Sequence, residues 1–304
     1  MDFLYNIYFW FPKFENYFGF LGKIIDKLME KLMIVSLNVV APRPFSKAEN
    51  AYELNREGRE QQVIISLTSF PSRIHTLSLC IETLFRQTFK ADKMILWLSK
   101  EQFSNIELPH SLIELSQRGL DIRWVNDDLK AHKKYHYAFK EFENEIIVTF
   151  DDDALYPRNV LQALVELHEK FPKAICANRV HLMTQSNGRL LPYNKWKHNC
   201  KDILKPSKQL MPVGIGGILY PPHAVSEEVF DVEVLKKICF FADDVWLKFH
   251  AMSKGTEVVT SKKFNKDFIT IKTSQNVRLV SSNVFESGND KQIQEVMNYY
   301  HIKL

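Results

Sequence analysis

The sequence has few cysteines and glycines, and two common nucleotide-binding motifs are missing from it. Its four cysteines, Cys80, Cys176, Cys200 and Cys239, are far apart and form no CxxC pair. This spacing excludes a zinc knuckle and a disulfide framework, so we expect reduced and mostly buried thiols. Neither GxGxxG nor GxxxxGK[ST] occurs, which argues against dinucleotide-dependent and P-loop enzymes.

The chain also lacks a strong charge of either sign. Forty Lys and Arg residues against 36 Asp and Glu residues leave a formal charge of +4 over 304 residues. This is too small a surplus to predict nucleic acid as a partner. Hydrophobic residues make up 45% of the chain and charged residues 25%, which excludes a disordered or collagen-like protein.

Long uninterrupted hydrophobic runs are missing even from residues 1–40, the most hydrophobic part of the chain. Charged residues from Lys13 onward interrupt this segment, whereas a membrane span needs about 20 apolar residues. Asp2 stands where a secretory signal has basic residues, so export is disfavoured. We expect a helical arm that either lies at a membrane interface or packs on the main domain or a partner chain.

Strand-like and helix-like segments alternate from residue 62 onward. Predicted strands cover 62–67, 93–98, 121–125, 145–150 and 174–178, and predicted helices cover 74–88, 131–143 and 158–171. The strands are almost continuously apolar, as strands covered on both faces must be. The pattern predicts a doubly wound, largely parallel α/β sheet.

Three predicted regions follow from this organisation. An aromatic-rich helical arm and linker occupies 1–58, with Pro42 and Pro44 and a charged stretch marking the linker at 41–60. The main domain covers 59–280, and a helical tail covers 281–304. The stretch 184–212 holds six Lys and Arg residues against one acid, Asp202, and is either a binding loop or a solvated basic loop.

The strongest candidate for chemistry is the run Asp151, Asp152 and Asp153, directly after the apolar strand EIIVTF. Ligands of open α/β sheets bind outside the carboxyl ends of the strands. A hard divalent cation would relieve the repulsion among three adjacent carboxylates and bring a phosphate with it. Because side chains alternate along an extended chain, Asp151 and Asp153 can point to the same side while Asp152 points elsewhere; an acidic turn or a helix cap at Asp153 is the alternative.

Two further segments carry polar groups at helix starts. SLTSFPSRI offers Thr68, Ser69 and Arg73 where the first strand meets a helix, a place suited to phosphate and equally to an ordinary turn. Asp243 and Asp244 open another helix. The helix dipole explains one acid there, and a carboxylate able to take a proton from an attacking hydroxyl would explain the second.

Taken in order, these segments resemble the sugar-nucleotide-dependent glycosyltransferases of the GT-A fold, especially bacterial enzymes of capsule and lipopolysaccharide assembly. The resemblance covers about residues 62–255 and depends on VIISLTSFPSRI, ETLFRQTFKADKMILWLS, HKKYHYAFKEF, VTFDDD as the DxD motif, IGGILYPP and FADDVWL in the place of the xED segment. It implies a Rossmann-like, mixed and mostly parallel sheet flanked by helices.

The resemblance also implies a function and a set of roles. A metal-dependent, inverting transferase would move sugar from a nucleotide-sugar donor, expected to be a UDP-sugar, to a glycan or lipid-linked glycan. Asp153 and Asp151 would hold Mn²⁺ or Mg²⁺, and Asp244, or else Asp243, would be the catalytic base. The donor-binding residues would be Thr68, Ser69, Arg73, Lys133, Lys134, Asp151 and Asp152.

Some alternatives stay open at this stage. A phosphohydrolase of the haloacid dehalogenase type needs DxDx[TV], whereas Ala154 and Leu155 follow Asp153 here. A binding module that has lost turnover is the other alternative. His132 and His136 have the i, i+4 spacing of a zinc pair without a third ligand, so packing is the favoured interpretation. The expected location is cytoplasmic, with the inner face of the cell membrane as one alternative.

Overall fold

A computed structural model describes residues 2–40, 53–272 and 288–302 of the chain. Nine α-helices lie in these ranges: α1 (Asp2–Trp10), α2 (Glu15–Val40), α3 (Ile74–Phe85), α4 (His110–Gln117), α5 (Lys133–Glu141), α6 (Val160–Lys170), α7 (Val232–Ile238), α8 (Asp243–Lys254) and α9 (Gly288–Tyr299). Most of the predicted linker and residues 281–287, 303 and 304 of the predicted tail lie outside the described residues, so the three predicted regions stay predictions.

Seven of the thirteen strands in the described ranges form the central sheet. In chain order the strands are β1 (Val63–Thr68), β2 (Lys93–Ser99), β3 (Leu120–Val125), β4 (Ile146–Thr149), β5 (Ala154–Leu155), β6 (Ile175–Ala177), β7 (Val180–Leu182), β8 (Gln185–Ser186), β9 (Arg189–Leu190), β10 (Leu210–Pro212), β11 (Ile218–Tyr220), β12 (Val258–Val259) and β13 (Ile269–Thr270). The central order is β12-β6-β11-β4-β1-β2-β3.

The central sheet is mixed and mostly parallel, which confirms the predicted α/β fold. β1 pairs in parallel with β2 and β4, β2 with β3, and β6 with β12. Only β11 runs the other way among these seven, antiparallel to both β4 and β6. The strand β11 lies within the IGGILYPP segment and was not among the predicted strands, because three residues after a glycine-rich turn give no periodicity.

Apolar side chains cover both faces of the sheet. Ile65 and Leu67 of β1 pack in one cluster with α3 and α6, whereas Ile64 packs with α5 on the other face. A third cluster joins α8 to β6 and β11 through residues such as Trp246, which is fully buried. Burial on both faces is the reason that the strands read as continuous apolar runs.

The N-terminal arm packs on the main body of the chain. Tyr5 and Tyr8 of α1 are buried in the cluster that contains α3 and α6, and the Tyr5 hydroxyl donates a hydrogen bond to the Leu155 carbonyl. The Asn38 amide near the end of α2 donates to the Thr270 carbonyl at 3.0 Å. One face of the predicted helical arm is thus bound to the domain. No helix in the described ranges is long and apolar enough to cross a membrane.

Candidate functional site

A cavity of about 490 Å³ lies at the carboxyl edge of the central sheet. β1 and β4 are neighbours in parallel register, so the segments that follow Thr68 and Thr149 leave the sheet side by side. Because β11 is reversed, its amino end and the turn at Gly214 reach the same edge. The cavity is lined by all ten site residues predicted from sequence: Thr68, Ser69, Arg73, Lys133, Lys134, Asp151, Asp152, Asp153, Asp243 and Asp244.

The three consecutive aspartates have different surroundings. The Asp152 side chain is almost buried, and its carboxylate accepts hydrogen bonds from the Ser69 hydroxyl at 2.5 Å and from Arg73 Nη1 at 2.6 Å. Arg73 Nη2 lies 3.2 Å from the Asp153 carboxylate. The Asp151 side chain is the most exposed of the three, at 32%. Asp152 therefore organises the strand end, while Asp151 and Asp153 are more open to the cavity.

Arg73 connects the end of β1 to the aspartate run. The segment Pro71–Arg73 forms a short 3-10 turn that leads into α3, with proline near its start. Burial lowers the pKa of Arg73, but Asp152 and Asp153 raise it by more, and the pKa lies above its ordinary value. The guanidinium group is thus a permanent cation beside the cavity.

Lys134 links the aspartate run to the start of α8. Its ammonium group lies 2.7 Å from Asp151 Oδ1 and 2.8 Å from Asp243 Oδ2, and the residue is almost completely buried. Burial lowers its pKa, but the charges of Asp151, Asp243 and Asp244 raise it well above the ordinary value. Lys134 therefore stays protonated and holds two separate acidic segments together.

The two acids of α8 differ in their partners. Burial raises the pKa of Asp243, but Lys134, His132 and hydrogen bonds together lower it by more, so the pKa lies below its ordinary value. Asp244 Oδ2 accepts a hydrogen bond from the Gly214 amide at 2.9 Å, and Asp244 Oδ1 is buried without a hydrogen-bond partner in the described part of the chain. Burial and the adjacent Asp243 charge raise the pKa of Asp244 to about 8. The pKa of Asp244 is therefore shifted toward the protonated form, in the opposite direction to that of Asp243.

The glycine turn before β11 approaches the aspartates closely. A Cβ atom at Gly214 would lie 2.8 Å from Asp151 Oδ1, and one at Gly216 would lie 2.9 Å from the Arg179 amide nitrogen. Gly217 has φ of 77°, a conformation that side chains rarely adopt. Neighbouring atoms thus leave no room for a side chain at Gly214 or Gly216, and the backbone conformation disfavours one at Gly217.

Two predicted donor-binding residues use their polar atoms within the protein. The Thr68 hydroxyl donates to the Trp97 carbonyl of β2 at 2.8 Å. Lys133 donates to Asp128 Oδ1 at 2.7 Å and to Gln102 Oε1 at 3.2 Å. Burial lowers the pKa of Lys133. Both residues line the cavity, but in this structure their polar groups bond to neighbouring protein groups rather than point freely at a ligand.

The structure adds cavity residues that sequence reasoning missed or left undecided. Tyr193 lies in the basic stretch 184–212, and its amide donates to Asp290 of α9 at 2.6 Å. Asn289 of α9 and Gln102 also line the cavity. These residues are distant in sequence and form no motif, so only tertiary packing identifies them. Arg179 lines the cavity and pairs with Asp267 at 2.9 Å.

The predicted histidine pair serves packing. The His132 ring contacts the Tyr135 hydroxyl and the Cys239 carbonyl, both at 3.0 Å, and burial lowers its pKa to about 4. Burial likewise lowers the pKa of His136 to about 4. His181 stacks on His198 with ring centroids 4.2 Å apart. All four cysteines are buried and free, as expected.

The side chains of the cavity suit a magnesium ion that is bound together with substrate phosphates. Within the described part of the chain, they do not form a site that would hold a metal with protein ligands alone. In the described ranges, no three His, Cys, Asp or Glu side chains come together as a metal site. Mg²⁺ in nucleotide enzymes commonly uses one or two carboxylates, with substrate phosphates and water completing its shell. Asp151 and Asp153 line the cavity and provide two such carboxylates.

Comparisons with known proteins concern the fold. No family model and no curated protein matches the chain. Among solved structures, a 4-diphosphocytidyl-2C-methyl-D-erythritol synthase matches with 10% identity over 76% of this chain and 99% of its own, with a TM-score of 0.42. A UTP-bound UGPase from Acinetobacter baumannii matches with 10% identity, 79% and 93% coverage and a TM-score of 0.39. The inositol-1-phosphate CTP transferase from T. maritima matches with 11% identity, 79% and 98% coverage and a TM-score of 0.39.

These findings correct the predicted function. The compared structures have the names of nucleotidyltransferases and of enzymes that make nucleotide compounds, so sharing this fold does not specify sugar transfer to a glycan or lipid-linked glycan. The prediction of a glycosyltransferase of surface-polysaccharide synthesis is therefore wrong. The individual site roles stay predictions.

Proposed function

We propose that the cavity binds a nucleoside triphosphate with a divalent cation and transfers its nucleotidyl group to a phosphorylated sugar or polyol. The observation that carries this proposal is the pairing of open carboxylates with fixed cations around one cavity. Asp151 and Asp153 supply oxygen ligands, and Arg73 and Lys134 supply positive charge. A cavity of about 490 Å³ is within the size range of small-ligand sites.

The phosphate groups of the nucleotide would enter at the end of β4. Mg²⁺ would be held by Asp151, Asp153 and phosphate oxygens, and when bound it would neutralise the negative charge that develops on the leaving group. Arg73 is already oriented by Asp152, so it needs little rearrangement to remain beside a phosphate. Fixed charges that need no reorganisation are the usual source of catalysis in phosphoryl chemistry.

The proposed acceptor is a phosphate, which needs no general base. An oxygen of the acceptor phosphate would attack the α-phosphorus, a new P–O bond would form, and the bond to the β-phosphate oxygen would break. Pyrophosphate would leave with the bonding electron pair. A phosphate acceptor is ionised in water, so no proton has to be removed, whereas a sugar hydroxyl would require a base.

The reaction has a direct assay. The full chain is incubated with Mg²⁺, one of CTP, UTP, GTP or ATP, and a panel of sugar and polyol phosphates, and pyrophosphate is measured. We expect acceptor-dependent and Mg²⁺-dependent release with one nucleotide of the four. Nucleotide-sugar binding without pyrophosphate release from any triphosphate would contradict nucleotidyl transfer.

A pair of variants assigns the activity to this cavity. Asp153→Asn should abolish most of the pyrophosphate release because it removes a cation ligand. Asp121→Asn is the matched control, since Asp121 is an exposed residue at the start of β3, paired with Arg123 at 2.7 Å outside the cavity. Equal activity of the two variants would place the chemistry elsewhere.

A further inference from the structure

Helix α2 presents a continuous apolar surface that no described part of the chain covers. We call it the α2 stripe; its members lie at helical spacing and are each at least 41% exposed: Leu21, Ile24, Leu28, Leu32, Val35 and Val39. Spacings of three and four residues place these side chains on one side of the helix. An uninterrupted exposed row of this kind is unusual, because single exposed apolar residues are the norm on protein surfaces.

The opposite side of α2 is the one that packs on the domain. Gly22, Met33 and Leu37 are buried there. Asn38 fixes the end of the helix to β13, and the Asp26 carboxylate accepts hydrogen bonds from the amides of Phe14 and Glu15 at 3.1 and 3.0 Å. The orientation of α2 is therefore fixed by specific contacts, and the α2 stripe faces outward as a consequence.

The charges on α2 are divided between these two sides. Lys23, Lys27 and Lys31 are exposed and follow one another at intervals of four residues, which places them in a row beside the α2 stripe. Asp26 and Glu30 are only partly exposed and lie toward the packed side. Glu15 is the exposed acid of this helix, 3.8 Å from Lys23. The exposed surface of α2 thus combines an apolar row with positive charge.

Exposed aromatic residues precede this surface in the chain, at the end of α1 and on either side of a non-helical break at Gly19. Trp10 is 78% exposed and Phe20 is 81% exposed, and Tyr17 and Phe18 are exposed between them. Large aromatic rings are favoured at the boundary between lipid and water, where one part of the ring contacts acyl chains and another contacts head groups. Four such rings beside a lysine row suit a lipid surface.

We propose that the α2 stripe docks on an anionic lipid bilayer, with α2 lying parallel to the membrane plane. Residues 21–39 extend over about 27 Å as a helix, so the apolar row would enter the head-group region along its length without spanning it. The lysine row would contact acidic head groups. A second copy of the chain suits the surface less well, since it would have to supply acids opposite the lysines, and α2 exposes Glu15 alone for that purpose.

Vesicle sedimentation tests the proposal with the full chain. Vesicles of phosphatidylcholine alone are compared with vesicles that also contain phosphatidylglycerol. We expect stronger binding to the anionic vesicles, and a loss of about fivefold for each lysine replaced in Lys27→Gln and Lys31→Gln. Equal binding to both vesicle types, or no binding to either, would overturn the proposal.

Apolar contact is tested by Leu28→Glu with Leu32→Glu. Ile113→Glu on α4 is the matched control, because Ile113 is also an exposed aliphatic residue on a helix, 45% exposed. The double variant should lose vesicle binding while its urea midpoint and that of the control stay near the wild-type value. Light scattering without lipid should give a monomer; a dimer that the double variant dissociates would instead assign the α2 stripe to a second copy.

Discussion

Two acidic segments face the same cavity and differ in how their charge is balanced. In the segment 151–153, Arg73 and Lys134 contact all three carboxylates, and the segment is open to the cavity. In the segment 243–244, Asp243 shares Lys134 with Asp151, while Asp244 has a backbone hydrogen bond in place of a cation. Adjacent acids in a sequence therefore need not have similar protonation states, because burial and cation contacts decide them.

The carboxylates of Asp151 and Asp153 after β4 are more exposed to the cavity. The carboxyl groups of Asp243 and Asp244 at the start of α8 mainly contact other protein groups. Acids in a first helical turn are stabilised by the helix dipole, which favours Asp243 and Asp244 at this position whatever the ligand. Lys134 is the single side chain that contacts both segments among the ion pairs given above. Substitutions at three positions therefore test the difference between the segments: Lys134 contacts both, Asp244 belongs to the second, and Arg73 contacts the first.

Lys134→Met should have the largest effect on stability. The substitution leaves the buried Asp243 carboxylate and the Asp151 carboxylate without their cation, and breaking a buried ion pair typically costs about 3–5 kcal/mol. Urea unfolding measures this loss. Lys263→Met is the control, because its pair with Glu166 is exposed on both sides and should change stability by less than about 1 kcal/mol. Similar losses in both variants would remove Lys134 as the link between the segments.

Asp244→Asn should change the pH dependence of stability. The folded-state pKa of Asp244 is raised to about 8 from an ordinary value of 3.8, so the folded state binds a proton that the unfolded state has released. Its contribution to stability is present below pH 3.8 and is lost as pH rises toward 8, by up to about 1.4 kcal/mol per pH unit for one proton. The asparagine variant should lack this decline. Its unfolding free energy, relative to that of the wild type, should therefore increase between pH 5 and pH 8.

The pH prediction is checked by urea unfolding of both proteins across that range. Asp243→Asn is the comparison, because Asp243 has a lowered pKa and its contribution is lost only as pH falls below its ordinary value. The two variants should therefore differ in the pH window of their effect. Parallel stability curves for wild type and Asp244→Asn would contradict the raised pKa of Asp244.

Arg73→Lys should have the smallest effect of the three. Two different nitrogens of Arg73 contact Asp152 and Asp153, and a single ammonium group cannot reproduce both contacts. We expect a loss of about 1–3 kcal/mol in unfolding free energy. Arg59→Lys provides the control, since one nitrogen, Nη1, makes its contact with Asp92 at 2.8 Å. A smaller loss for Arg73→Lys than for Arg59→Lys would refute the forked contact.

The sequence predicted the architecture well because burial on both faces leaves a strong pattern in β1, β2 and β4. It also identified residues that meet in the cavity, since polar groups after β1 and β4 must share one edge of a parallel sheet. It missed β11, whose three residues show no period, and Asn289, which reaches the cavity through packing of α9. The sequence could not predict the hydrogen bonds of Thr68 and Lys133 either, because tertiary packing brings their partners Trp97 and Asp128 next to them.

Magnesium-dependent nucleotide binding tests the role of the cavity most directly. Calorimetric titration with CTP and UTP, with and without Mg²⁺, is applied to the wild type, Asp153→Asn and Asp121→Asn. We expect Mg²⁺-dependent binding of at least one nucleotide by the wild type and by Asp121→Asn, and an affinity lower by about tenfold or more in Asp153→Asn, as expected when a charged contact is lost. Equal affinities for all three proteins, or binding that is independent of Mg²⁺, would contradict this prediction.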